Sequence, residues 1–201
     1  AEMKFTKIPT NTFKELALNA GVILSEFNPA APSTAPDDSK ILGATNGGSN
    51  FSAVPSIIDN GDGIDNCPRN TKELAQCDGW TVKLSTTFVT MNNNLGKKLI
   101  AAADIDGTDT TKITPRVDLK DTDFGDIWYV GDYSDKNGAT KGGFIAIKII
   151  NALSTGGFTL QSANKGKTQF SAEFTGFTSI EDQETVPFEL YISAGAAETG
   201  G

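Results

Sequence analysis

The clearest periodicity in the chain begins at Trp80. Val82, Leu84 and Phe88 alternate with Thr81, Lys83, Ser85 and Thr87, the period-two pattern of a strand with one face buried. Asn92-Asn93-Asn94 ends that run and offers an N-cap. Leu95, Leu99 and Ala102 then recur at helical spacing with Lys97 and Lys98 off the stripe, predicting a short amphipathic helix over about residues 94–103. Ile113, Pro115, Val117 and Leu119 share one face of a further expected strand, and the proline places it at a sheet edge. Ile127-Trp128-Tyr129-Val130 reads as the next strand, followed by a polar turn over residues 132–143. Residues 144–150 are apolar on both faces and so belong to a central or interface-buried strand. After Gly156-Gly157 comes Phe158-Thr159-Leu160. Two alternating runs close the pattern: Phe170, Ala172 and Phe174 oppose Gln169, Ser171, Glu173 and Thr175, and Phe188, Leu190 and Ile192 oppose Glu189, Tyr191 and Ser193.

The first half is less regular. Residues 11–18 read as a short helix capped by Asn11 or Thr12, and residues 21–27 as a strand. Pro29, Pro32 and Pro36 mark residues 28–38 as a linker or surface arm. Residues 43–79 are rich in glycine and small side chains yet carry Phe51, Val54, Ile57 and Ile58. They read as a long loop, and loops of that length are functional or disordered. Backbone of that kind does not bury itself unpaired in its own domain. Our reading is that it completes its fold against another copy of the chain.

The expected organisation is a single domain over residues 1–201: an N-terminal arm and first strand (1–42), the long loop (43–79), a core (80–193) and an unanchored tail (194–201) that frays. About eight strands with one or two helices fit a mainly β fold, an antiparallel β-sandwich or half-barrel with a flanking α-helix. Glycine (21 residues) and an apolar content of 38% agree with short strands and many turns. No apolar run is long enough to span a membrane as a helix. The opening Ala1-Glu2-Met3-Lys4-Phe5 lacks the apolar block of a secretory signal, though Ala1 need not be the natural start.

Charge and composition narrow the function. A net charge of −8 opposes binding to nucleic acid through phosphate neutralisation. With no histidine, Ser-His-Asp and Cys-His catalysis and histidine-based metal sites are excluded. Cys67 and Cys77 lie in the same expected loop, close enough for a disulfide to be possible. Asp59, Asp62 and Asp65 invite a calcium reading, but they miss the alternate positions and closing glutamate of an EF-hand, so an Asp-Gly turn is the better reading. Asp118, Asp121, Asp123 and Asp126 form an acidic cluster without the context of a glycosidase pair. Gly47-Gly48 and Gly142-Gly143 lack the lysine and spacing of a phosphate loop. No catalytic constellation stands out, no cofactor is expected, and the chain reads as non-enzymatic.

In order along the chain, several blocks resemble the major tail tube protein of long-tailed phages with non-contractile tails. They are Phe13-Lys14-Glu15-Leu16 with Asn19-Ala20-Gly21-Val22, then Leu42-Gly43-Ala44-Thr45 with Gly47-Gly48-Ser49-Asn50-Phe51 and Pro55. Ile113-Thr114-Pro115-Arg116, Asp123-Phe124, Ile127-Trp128, Val130-Gly131-Asp132-Tyr133 and residues 147–152 follow, and Pro187-Phe188-Glu189-Leu190-Tyr191 closes the set. The insert from Cys67 to Cys77 departs from that pattern. The resemblance implies a tail tube fold assembled as stacked hexameric rings whose subunits join sheets around a lumen. It implies a virion protein, assembled in the host cytoplasm, with partners that are itself, the tape measure protein, the tail terminator and baseplate or distal tail proteins. DNA would pass through without specific binding, and no membrane is implied. Gly47, Gly48, Phe51, Val54, Pro55, Ile57 and Ile58 would be inter-subunit contacts, with Phe51 the principal anchor, and Glu173 and Glu189 would face the lumen. Two rivals stand beside this: the tube of a contractile tail or injection device, and a secreted carbohydrate- or cell-binding β-sandwich held by a Cys67–Cys77 bridge and calcium.

Overall fold

A computed structural model describes residues 8–32, 35–135 and 142–195. In chain order the strands are β1 (Ala17–Leu24), β2 (Thr45–Asp59), β3 (Ala75–Phe88), β4 (Ala103–Ile105), β5 (Ile113–Pro115), β6 (Gly125–Tyr133), β7 (Phe144–Ser154), β8 (Thr159–Gln161), β9 (Gln169–Thr175) and β10 (Phe188–Ser193). One α-helix, α1 (Asn93–Ile100), stands among the described residues. The fold is mainly antiparallel β with that single helix.

Two sheets are built around β7. Along most of its length β7 pairs with β6 on one side and β10 on the other, and β6 pairs in turn with β1. Its last residues, Leu153 and Ser154, pair instead with Thr175 and Phe174 of β9. β9 continues the second sheet through β3 to β2, with the short β8 on its other side. The strand apolar on both faces in sequence is therefore the one shared by both sheets. Between them lie Val82, Leu84 and Phe88 of β3, Phe170 and Phe174 of β9, and Ile23, Ile127 and Ile149 of the first sheet. Leu95 and Leu99 of α1 close this core, both essentially without solvent exposure. The Asn92 side chain accepts the Leu95 N–H at 2.8 Å and so caps the helix.

A second, smaller apolar cluster covers the outer face of the first sheet. Trp128 packs edge-on against Phe27, and Phe27 against Phe144, with ring centroids 5.6 and 5.4 Å apart. Phe27 and Ile41 flank the proline-rich segment, and the chain after it returns to the sheet through a bridge between Ile41 and Leu24.

Several expectations are corrected. Residues 11–18 do not form a helix: a single 3-10 turn (Thr12–Lys14) precedes β1, because Ala17 and Leu18 pair with Tyr133 and Asp132 of β6. Residues 43–79 are not a loop but most of a long hairpin, β2 and β3, with a turn-rich tip. The strand expected through Leu119 stops at Pro115 in a two-stranded ribbon with β4, and Val117 is 99% exposed. Of the apolar row on β10, Phe188 packs against the core while Leu190 and Ile192 are exposed. Residues 1–7, half of the polar turn before Phe144 (136–141) and residues 196–201 lie outside the described residues.

Candidate assembly surface

Small residues build β2 because its register with β3 demands two left-handed positions. Gly47 and Gly48 have φ of +81° and +80°, where a side chain strains the backbone, and they sit in the bulge between Thr45 and Ser49. The Gly48 carbonyl accepts from the Thr86 hydroxyl at 3.2 Å, which fixes the bulge to β3.

Beyond the bulge the hairpin has two regimes. Near its root, Phe51 and Ala53 lie opposite Leu84 and Val82 and pack on the core. Phe51 and Trp80 each stack against Phe188 at 5.7 Å between centroids. Further out, nearly every residue of both strands is exposed, including Val54 (58%), Pro55, Ile57 (59%) and Ile58 (42%). A two-stranded ribbon with no covering layer is marginal alone, and among the described residues these apolar side chains stay 42–59% exposed.

The tip beyond the ribbon is ordered by Asp59. Its carboxylate accepts the Asn70 and Gly61 N–H groups, each at 2.9 Å, and those bonds hold its pKa below the ordinary carboxylate value. Asp62 and Asp65 are exposed nearby. Among the described residues no group of three or more acidic, cysteine or histidine side chains is placed to hold a metal ion. Cys67 is half-buried in the tip, Cys77 is exposed on β3 opposite Ile57, and both are free thiols rather than a bridge.

A second feature complements the hairpin. Among the described residues β10 pairs with β7 on one side only, so its other edge presents backbone groups without a strand partner beside exposed Leu190 (52%) and Ile192 (57%). Trp80 (39% exposed) and Phe188 join this edge to the hairpin root, making one apolar surface.

The two glutamates stand apart from it and from each other. Glu173 lies on the outer face of the second sheet, where the Lys83 ammonium at 3.0 Å and then the Thr155 hydroxyl depress its pKa. Glu189 lies on the outer face of the first sheet, opposite Lys148 in register, and accepts the Tyr191 hydroxyl at 2.6 Å. That bond raises the Tyr191 pKa.

The acidic cluster after β5 is structural. Arg116 donates to Asp123 at 2.6 Å, reaches Asp104 at 2.7 Å and donates to the Asp118 carbonyl at 2.7 Å. Asp123 also accepts the Lys120 N–H at 2.8 Å, and Asp126 pairs with Lys148 at 3.1 Å. The signal in sequence was Arg116, one guanidinium inside an acidic stretch.

No family model matches the chain, and no curated protein matches it. Among solved structures, a chain from the virion of a native gene transfer agent particle is similar, with a TM-score of 0.44 and 9% identity over 88% of this chain and 99% of that one.

Proposed function

We propose that this chain is a structural virion subunit, the building block of a phage tail tube, which polymerises through its β2–β3 hairpin and its β10 edge into stacked rings. The observation that carries the reading is the hairpin: a ribbon bearing exposed Val54, Ile57 and Ile58 that no other layer covers among the described residues. A second copy covering that ribbon removes its apolar faces from water, and strand addition at β10 satisfies the open edge. The ribbon and the β10 edge are different parts of one apolar surface, so a contact of one copy's ribbon with the next copy's edge is heterologous and propagates as rings or filaments rather than stopping at a dimer. The ordered set of sequence blocks supports hexameric rings enclosing a tape measure protein and later conducting DNA.

Phe51 changes role within this reading. It is turned inward against Phe188, so it holds the hairpin root, and the exposed trio Val54, Ile57 and Ile58 takes its place as the contact. Glu173 and Glu189 are on the outer faces of different sheets, so they are alternatives for a lumen surface rather than a pair. The secreted-module reading loses its bridge, since Cys67 and Cys77 are free. Electron microscopy of the concentrated protein tests the proposal: rings or tubes are expected, and their loss in Ile57→Asp/Ile58→Asp assigns the contact.

A further inference from the structure

A groove of about 310 Å³ lies beside α1 and is lined by none of the exposed hairpin residues just described. Its walls are α1, the returning segment that carries Ser39, Ile41 and Leu42, and the turn at Thr122 and Asp123. That volume is at the small end of ordinary ligand sites. Its polar lining residues are Lys97, Lys98, Ser25, Ser39, Asn92, Asn94, Thr122 and Asp123, and of these the Ser25 hydroxyl already donates to the Lys40 carbonyl at 3.2 Å.

The charge in this groove is only partly offset, by an attraction between Lys97 and Asp123 at longer range than an ion pair. No carboxylate lies within ion-pair distance of Lys97 or Lys98 among the described residues. The one acid on the wall, Asp123, spends one oxygen on Arg116 and the other on the Lys120 N–H. Lys40, next in sequence to Ser39, is paired with Glu26 at 2.6 Å. Lys98 is partly buried, and burial followed by repulsion from Lys97 lowers its pKa. An ammonium withdrawn from water without a counterion is costly, and in a chain of net charge −8 solubility does not require it.

We propose that this groove is a binding site for an oxyanion group, a carboxylate or a phosphate, with Lys98 and Lys97 supplying the charge and Ser39 and Asn94 the neutral donors. The inference does not depend on tube assembly. A bound oxyanion replaces the missing counterion and makes charge-assisted hydrogen bonds to both lysines.

The test titrates the full chain separately with inorganic phosphate and with acetate at constant ionic strength, following the lysine side-chain resonances by NMR. Saturable movement of the Lys98 signal is expected with at least one probe. Lys98→Gln should weaken that binding by roughly tenfold or more, the loss expected for one charge-assisted contact. Lys98→Arg, which keeps the charge, should retain binding, and Lys165→Gln, outside the groove, should leave it unchanged. Response to phosphate alone assigns a phosphate ligand, to acetate alone a carboxylate, and to both the shared class. Movement that is linear in both probes, or binding by Lys98→Gln equal to the unaltered chain, overturns the proposal.

Discussion

Trp80 of β3 and Phe188 of β10 meet with their ring centroids 5.7 Å apart. Phe51 of β2 reaches the same Phe188 ring at the same distance. Three aromatic rings thus tie the root of the hairpin to the edge strand of the opposite sheet, and outside this point the hairpin leaves the core. Stability and assembly therefore separate along one ribbon. Phe188→Ala should cost about 2–3 kcal/mol, less than a fully buried phenylalanine because the ring is only partly covered. Denaturant unfolding measures it, and a change under about 0.5 kcal/mol would mean that the trio does not hold the root.

Ile57→Asp/Ile58→Asp should behave in the opposite way. Both side chains are exposed, so unfolding free energy should move by no more than about 1 kcal/mol. Assembly should be lost, because two charges would be desolvated in the contact. Sedimentation velocity beside a melting curve reads both quantities on one sample.

Two backbone positions carry opposite expectations. Gly47→Ala should destabilise by about 1 kcal/mol although nothing lies within 4 Å of the added methyl, since the cost is its φ of +81°. Ala101, which ends α1 at φ +70°, already bears that cost, so Ala101→Gly should stabilise by a similar amount. Equal effects of the same sign from the two changes would contradict this account.

Asp123 sets an acid limit. Burial pushes its carboxyl up, but the Lys120 N–H and the Arg116 guanidinium outweigh that and hold its pKa below the ordinary value. A carboxyl whose folded pKa is depressed contributes stability above its unfolded pKa of about 3.9, and that stability is lost as pH falls through the folded value. Its side chain has 0% solvent exposure, so Asp123→Asn should cost about 3 kcal/mol at neutral pH by leaving Arg116 without its buried partner. The gap between the two chains should narrow only below about pH 4. A gap that is constant with pH would remove the ion pair from the explanation.

How much of this was legible in the sequence depends on where tertiary contacts override local pattern. The strands from Trp80 onward and the Asn92-capped helix follow from alternation and capping, because one face of each meets the core. β2 was hidden by its own composition: Gly47, Gly48 and Pro55 read as loop chemistry, yet they serve a bulge and an exposed ribbon. The exposure of Leu190 and Ile192 was equally hidden, since alternation assigns a face but not what covers it. Phe51 was expected to be an inter-subunit anchor because it is an aromatic residue, whereas opposite Leu84 it packs on the core and against Phe188. The acids around Arg116 look like candidate chemistry in one dimension and resolve into a structural knot once β4 and β5 pair.

The central claim is that the uncovered ribbon of β2 and β3 is an assembly surface. Negative-stain microscopy of the concentrated chain, run beside Ile57→Asp/Ile58→Asp, tests it most directly. The account predicts rings or tubes from the unaltered chain and folded monomers from the variant. Monomers from the unaltered chain at millimolar concentration, or tubes of normal length from the variant, would contradict it.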